Sequence, residues 1–187
     1  MEVKDHITLW TSQSRQVIDV LERDGHCLVK KEYISKKYQE TTWSFSIAYS
    51  YFAKRAAEKI ARPEGAESPF WLYRDPKWAV TGPDAKLLKF QIPREEVILF
   101  DLRKWNRILN LSPLGDEKRQ KEFEQELKRQ GIMAYSDVFE KPYYPLLKNR
   151  IIKSWDLLFE DTSQEELYTQ GAAWVLRKEW LCGEHSL

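Results

Sequence analysis

The stretch from Leu87 to Asp101 limits the choice of fold more than any other part of the chain. Leu88, Phe90 and Ile92 alternate with Lys89 and Gln91, the period of a half-buried strand. Pro93 cannot donate to a ladder and belongs at a strand end or in a turn. Val97-Ile98-Leu99-Phe100 is short, continuous and apolar, as expected of a strand covered on both faces. Asp101 then stands where a helix N-cap belongs, ahead of Leu102, Trp105, Ile108 and Leu109. The stretch predicts strand, Pro-marked turn, strand and helix, with the two strands an antiparallel hairpin at the centre of a sheet.

The remaining elements follow from periodicity. His6 to Trp10 reads as a first strand, and a helix capped at Thr11 or Ser12 runs to Asp24, stopped by Gly25. His26 to Val29 is a short strand and Lys30 to Thr41 is polar and irregular. Phe45, Ala48, Tyr49, Phe52, Ala56 and Ile60 recur at three and four and predict a helix from Thr42 to Ile60. Pro69 to Arg74 reads as a strand, and Leu146 to Phe159 as a helix. Tyr168 to Leu176 reads as the closing strand. Residues 116–130 are nearly all charged or amide and predict an exposed, peripheral helix. Strands and helices mix without a regular βαβ rhythm. The expected fold is therefore α+β, a small, partly antiparallel sheet with helices packed around it. One domain over 1–187 is expected, with 112–145 as a candidate helical insertion.

Composition narrows the functional classes. Thirty basic residues against 29 acidic leave a formal charge of +1, so there is no strong nucleic-acid signal. A mean hydropathy of -0.62 and no apolar run of membrane-spanning length predict a protein outside the membrane. Two cysteines, Cys27 and Cys182, predict reduced thiols and a cytoplasmic location. The three histidines lack metal-ligand spacing, and no metal is expected. Gly-rich phosphate loops, H-E-x-x-H, C-x-x-C and G-x-S-x-G are all missing from the sequence. The pairs Glu95-Glu96 and Glu165-Glu166 diverge on any regular element and read as solvated edges. No catalytic residue emerges. The eight tryptophans stand out, since Trp serves as core, as partner surface or as a platform for a planar ligand.

Two resemblances add to this reading. Leu9-Trp10-Thr11-Ser12-Gln13, Pro69-Phe70-Trp71-Leu72-Tyr73, and Val97 to Asp101 followed by Trp105, Leu109 and Asn110 resemble an uncharacterised bacterial family, a domain of unknown function. Ser154, Trp155 and Phe159, followed by Gln170 and Trp174, extend that resemblance over nearly the whole chain. More weakly, the strand, Thr-bearing turn and helix of His6 to Gly25, with the strand–Pro–strand of Leu87 to Phe100, resemble the ADP-ribosyltransferase-like fold. That resemblance implies a pocket for NAD or a related nucleotide between the first and last strands, side by side, lined by Trp10, Thr11, Gln13, Tyr73 and Gln170. The departures from it leave an enzyme or a degenerate enzyme that binds without transfer. Trp10 and Thr11 stand where a transferase shows Arg or His, and Gln170 where it shows the catalytic Glu, whose carboxylate a neutral amide cannot replace. The alternative is a non-enzymatic cytosolic binding or regulatory module, phage- or defence-related, that holds a protein partner.

Overall fold

β1 (His6–Ser14) and β4 (Ala85–Pro93) run antiparallel for nine residues, from His6 opposite Pro93 to Ser14 opposite Ala85. The computed structural model describes residues 5–30, 42–79, 82–160 and 165–185; most of the polar segment expected over Lys30 to Thr41 lies outside them. Around this long pair stand β3 (Phe70–Tyr73), β5 (Ile98–Asp101), β6 (Thr169–Ala173) and β8 (Leu181–His185). Their order in the sheet is β5-β6-β3-β1-β4-β8, with every pairing antiparallel. A separate two-stranded ribbon pairs β2 (His26–Leu28) with β7 (Val175–Arg177). The helices are α1 (Arg15–Asp24), α2 (Thr42–Lys59), α3 (Leu102–Leu109), α4 (Glu117–Arg129), α5 (Tyr135–Glu140) and α6 (Pro145–Ser154). The fold is α+β, an antiparallel sheet surrounded by helices.

Several local expectations hold. Gly25 ends α1 with φ 76°, its N–H bonded to the Leu21 carbonyl, but the helix is not capped at Thr11 or Ser12: β1 continues through both to Ser14 in its ladder with β4, and α1 starts only after it. Asp101 caps α3, its carboxylate accepting from the Arg103 N–H at 2.7 Å. Leu88, Phe90 and Ile92 are fully buried.

The expected central hairpin does not form. β4 is flanked by β1 and β8, and β5 lies at the far edge beside β6. A strand has two edges, and both edges of β4 are taken, leaving none for β5. Pro93 leads instead into a short 3-10 turn, Arg94–Glu96, which does not return the chain as a tight hairpin loop would. Four strand spacings in a flat sheet would separate β4 from β5 by about 19 Å. The residues from Pro93 to Ile98 reach at most about 17 Å even when extended. The sheet must therefore curl.

It does so at β1 and β3, which share a single register pair, Trp10 opposite Tyr73. The six strands thus form two three-stranded halves, β5-β6-β3 and β1-β4-β8. Side chains bridge them on either side of that pair. Thr11 Oγ1 donates to the Trp71 carbonyl at 2.9 Å, and Arg74 Nη1 donates to the Thr8 carbonyl at 3.1 Å.

Each face of the sheet has its own core. Leu9, Phe70, Leu72, Leu88 and Phe90 pack with α1 and the β2-β7 ribbon. Trp71, Ile98, Phe100 and Ala172 pack with α2, α3 and the helices that follow. Phe52 of α2 sits within 5.3 Å of the rings of Trp71, Phe100 and Trp105, at centroid separations of 4.9, 5.1 and 5.2 Å. Half of the eight tryptophans are buried in the core, Trp105, Trp155, Trp174 and Trp180, while Trp43 and Trp78 are exposed.

The charged helix is not peripheral. Phe123 and Leu127 of α4 are buried in the larger core with Leu114, Ile132, Val138 and Phe139. Two apolar residues four apart suffice to seat it. The closing strand also differs from expectation. β6 ends at Ala173, β7 leaves for the ribbon, and β8 forms the outer edge beyond a 3-10 turn at Lys178–Trp180.

Candidate functional site

Where β1 and β3 part, a cleft of about 690 Å³ opens. Its walls come from Thr11, Ser12 and Gln13 of β1, the exposed side of α1, β2 with Val29 and Lys30, and Ser68 to Trp71 of the opposite half. Tyr49 of α2, Tyr73 and Trp78 complete it. The cleft follows directly from the single pairing between the halves, since past Trp10 neither strand has the other for a neighbour.

The sequence-predicted residues divide by strand geometry. Residues directly opposite on neighbouring strands share a face. Lys89, Trp10, Tyr73, Gln170 and Phe100 are opposite one another in turn, so Trp10, Tyr73 and Gln170 form one row on the face covered by α2. Thr11 and Gln13 lie on β1 with the opposite parity to Trp10 and Ser12. They share the side of Leu9, and Gln13 Nε2 donates to Thr11 Oγ1 at 2.8 Å. The expectation that the first and last strands lie side by side fails, because β3 stands between β1 and β6. The reason is again the curl: β3 supplies the joint between the halves, and β6 can only follow it.

Thr11, Gln13 and Tyr73 line the cleft; Trp10 and Gln170 do not. Trp10 is half-buried with the Lys89 ammonium 5.5 Å from its ring. Gln170 is only 2% exposed, and its Oε1 has no hydrogen-bond partner among the described residues. Thr11 is equally buried, and its proton is committed to the Trp71 carbonyl. It braces the cleft rather than facing a ligand.

Residues that sequence reasoning missed are more informative. Ser12 Oγ is buried on the cleft wall and has no hydrogen-bond partner among the described residues. An unpaired buried hydroxyl costs about 1–3 kcal/mol, and a ligand hydrogen bond would remove that cost. Tyr49, Trp71, Tyr73 and Trp78 present aromatic surface. Trp71 is stacked on Trp105 at 5.0 Å, and Trp78 lies 6.3 Å from the Tyr168 ring with the Lys77 ammonium 5.2 Å from its own. Trp78 is 36% exposed and is anchored by its Nε1 donating to the Leu167 carbonyl at 2.7 Å.

At the α1 end, Arg23 and Asp24 pair at 2.7 Å, with His26 Nδ1 3.2 Å from the Asp24 carbonyl; Lys30 lines the cleft as well. The hydrogen bond from Arg23 holds the Asp24 carboxylate below its usual range. Burial pushes the Cys27 thiol up, which keeps it protonated and unreactive at neutral pH. Among the described residues Asp24 is the carboxylate that lines the cleft, and it is engaged with Arg23. Among the described residues no three His, Cys, Asp or Glu side chains are grouped to hold a metal ion, and no helix is long and apolar enough to cross a membrane.

No curated protein and no solved structure matches the chain. Residues 8–182 match the model of a family described as Domain of unknown function (DUF3841), so that nearly the whole chain, from β1 into β8, belongs to this family.

Proposed function

We propose that the cleft between β1 and β3 binds a nucleotide, NAD or a related one, in an ADP-ribosyltransferase-like domain that does not carry out transfer. The observation that carries this reading is the unpaired, buried Ser12 hydroxyl on the wall of an aromatic-lined cleft of about 690 Å³. Such a volume is within the range of small-molecule sites. Tyr73 and Trp78 offer stacking surface for a planar ring, and Arg23 and Lys30 offer positive charge for phosphate. Among the described residues the carboxylate on the cleft wall is Asp24, already engaged by Arg23, and this supports binding without transfer. The free thiols of Cys27 and Cys182 fit a cytoplasmic bacterial protein.

Titration calorimetry with NAD, ADP-ribose and AMP tests the reading. At least one should bind, and ligand at a hundred times its Kd should stabilise the fold by about 2.7 kcal/mol. Ser12→Ala should weaken that binding by about five- to tenfold while leaving unliganded stability equal or slightly higher, because the orphaned hydroxyl is gone. NAD should be recovered intact after incubation. Absence of heat with all three nucleotides would end the proposal.

A regulatory module that holds a protein partner is the second reading. It draws on a different surface, the solvent-facing side of α4 and α6, where Tyr143 and Leu146 are 78% and 79% exposed.

A further inference from the structure

Two shallow hollows, of about 580 and 600 Å³, lie between α4 and α6 and share Glu126, Arg150 and Lys153. Together they make one groove. Its centre is held shut by Arg150, which pairs with Glu126 at 2.8 Å and lies over the Phe123 ring at 4.9 Å. One end carries the exposed side chains of Tyr143 and Leu146. None of these residues lines the cleft at β1.

Apolar exposure alone does not name an occupant; the charge does. The charged residues lining the two hollows are Arg119, Arg129, Arg150 and Lys153 against Glu122 and Glu126, an excess of positive charge. Lys153 and Arg129 line the groove and have no carboxylate partner among the described residues. The protein as a whole is nearly neutral at +1, so this is a local excess and not a general property of the surface. Glu126 is held by Arg150 between Arg129 and Lys153, so the cations stand apart and do not form the continuous basic track that a phosphate backbone needs. A groove between two helices, with apolar anchors and separated cations, fits a helical peptide whose apolar residues recur at three and four and whose other face is acidic.

We infer that the α4–α6 groove docks an acidic amphipathic helix of a partner protein, with apolar side chains meeting Tyr143 and Leu146 and carboxylates meeting Arg129 and Lys153. This is independent of what occupies the β1–β3 cleft. The attraction is partly between exposed charges, so binding weakens as salt rises.

The test is selection of phage-displayed random peptides on the full chain, with the L146D/K153E double variant as the counter-target. Both positions are exposed, so the variant keeps its fold. Peptides retained by the parent and lost on the variant should be rich in Glu and Asp with apolar residues at helical spacing. Measured by fluorescence anisotropy, a synthetic copy of the best of them should bind the variant about tenfold more weakly or worse, about 1.4 kcal/mol. Oligo(dT) and phosphatidylserine-containing vesicles should bind parent and variant alike. Recovery of no variant-sensitive peptide, or of peptides without an acidic excess, overturns the inference. Variant-sensitive binding of oligo(dT) or vesicles without peptide binding overturns it too, and assigns the groove to that class.

Discussion

Gly171 stands in β6 where the two halves of the sheet curl together. A Cβ there would lie 3.0 Å from Leu9 Cδ1 and 3.0 Å from Val97 Cγ2, with Leu99 Cδ2 at 3.4 Å. All three neighbours are apolar branches held in a packed layer, so they cannot all withdraw. Gly171→Ala should destabilise by about 1–3 kcal/mol through overpacking, read as a lower urea midpoint with an unchanged slope. Asp101 acts through charge. Burial opposes its ionisation, but the Arg103 guanidinium at 2.6 Å and the backbone N–H of Arg103 outweigh this and hold the carboxylate below its usual range. A carboxyl whose folded pKa is depressed adds stability above its unfolded pKa, about 3.9, and loses it as pH falls through the folded value. Asp101→Asn should therefore lower the melting temperature at pH 7. The gap between variant and parent should close as the pH is taken down through that acid range. A gap that stays constant to low pH would mean that the side chain works only as a neutral cap.

Helices α4 to α6 show how little apolar sequence an element needs when its neighbours supply the rest. α4 brings Phe123 and Leu127, and Phe123 stacks on Tyr135 at a centroid distance of 6.3 Å. Trp155 closes the far side of this layer, stacked on Phe139 at 5.9 Å, with its Nε1 donating to the Ser112 carbonyl at 2.9 Å. Ser154 Oγ accepts from the Leu114 N–H at 2.9 Å, tying the loop after α3 to the end of α6. Replacing residues 116–130 by a short Gly/Ser linker would expose Val138, Phe139 and Ile151. That deletion should abolish the cooperative unfolding transition, since losing even one buried Phe costs about 3–5 kcal/mol, a large part of the stability of a domain. A deleted chain that still melts cooperatively near the parent's temperature would show that α4 is an appendage after all.

At the scale of the molecule, the two half-sheets pair at one register position braced by Thr11 and Arg74, and the cleft exists because, among the described residues, β1 and β3 pair nowhere else. Thr11→Val preserves the shape of the side chain and removes its hydroxyl. The Trp71 carbonyl then loses its donor in a buried place, at a cost of about 1–3 kcal/mol. Thr11→Val should lower the chemical stability by that amount and weaken nucleotide binding through a looser cleft, whereas Ser12→Ala should weaken binding alone. The pair of variants separates bracing from ligand contact, and a Thr11→Val protein of full stability would remove the bracing role. Arg74 is a less decisive probe, because it also pairs with Glu166 at 2.7 Å, an ion pair on a side chain that is mostly exposed.

Local pattern determined the elements. The alternation of Leu88, Phe90 and Ile92 placed β4, the three-and-four spacing from Phe45 to Ile60 placed α2, and Gly25 and Asp101 marked a helix end and a helix start. These features depend on backbone geometry and on which face is apolar, and both are written in a few consecutive residues. Thr11, Gln13 and Tyr73 of the cleft were named through the resemblance to the ADP-ribosyltransferase-like fold, yet Ser12 beside them was passed over, since an unpaired hydroxyl has no signature in sequence. Which strands are neighbours was decided only in three dimensions. Val97 to Phe100 is equally apolar beside β4 or beside β6, and the choice depended on β1 and β8 having filled both edges of β4. The same competition for edges separated Trp10 from Gln170, left β1 and β3 with one pair, and so made the cleft: strand pairing is a contest among distant segments, and no short stretch of sequence records who else is competing.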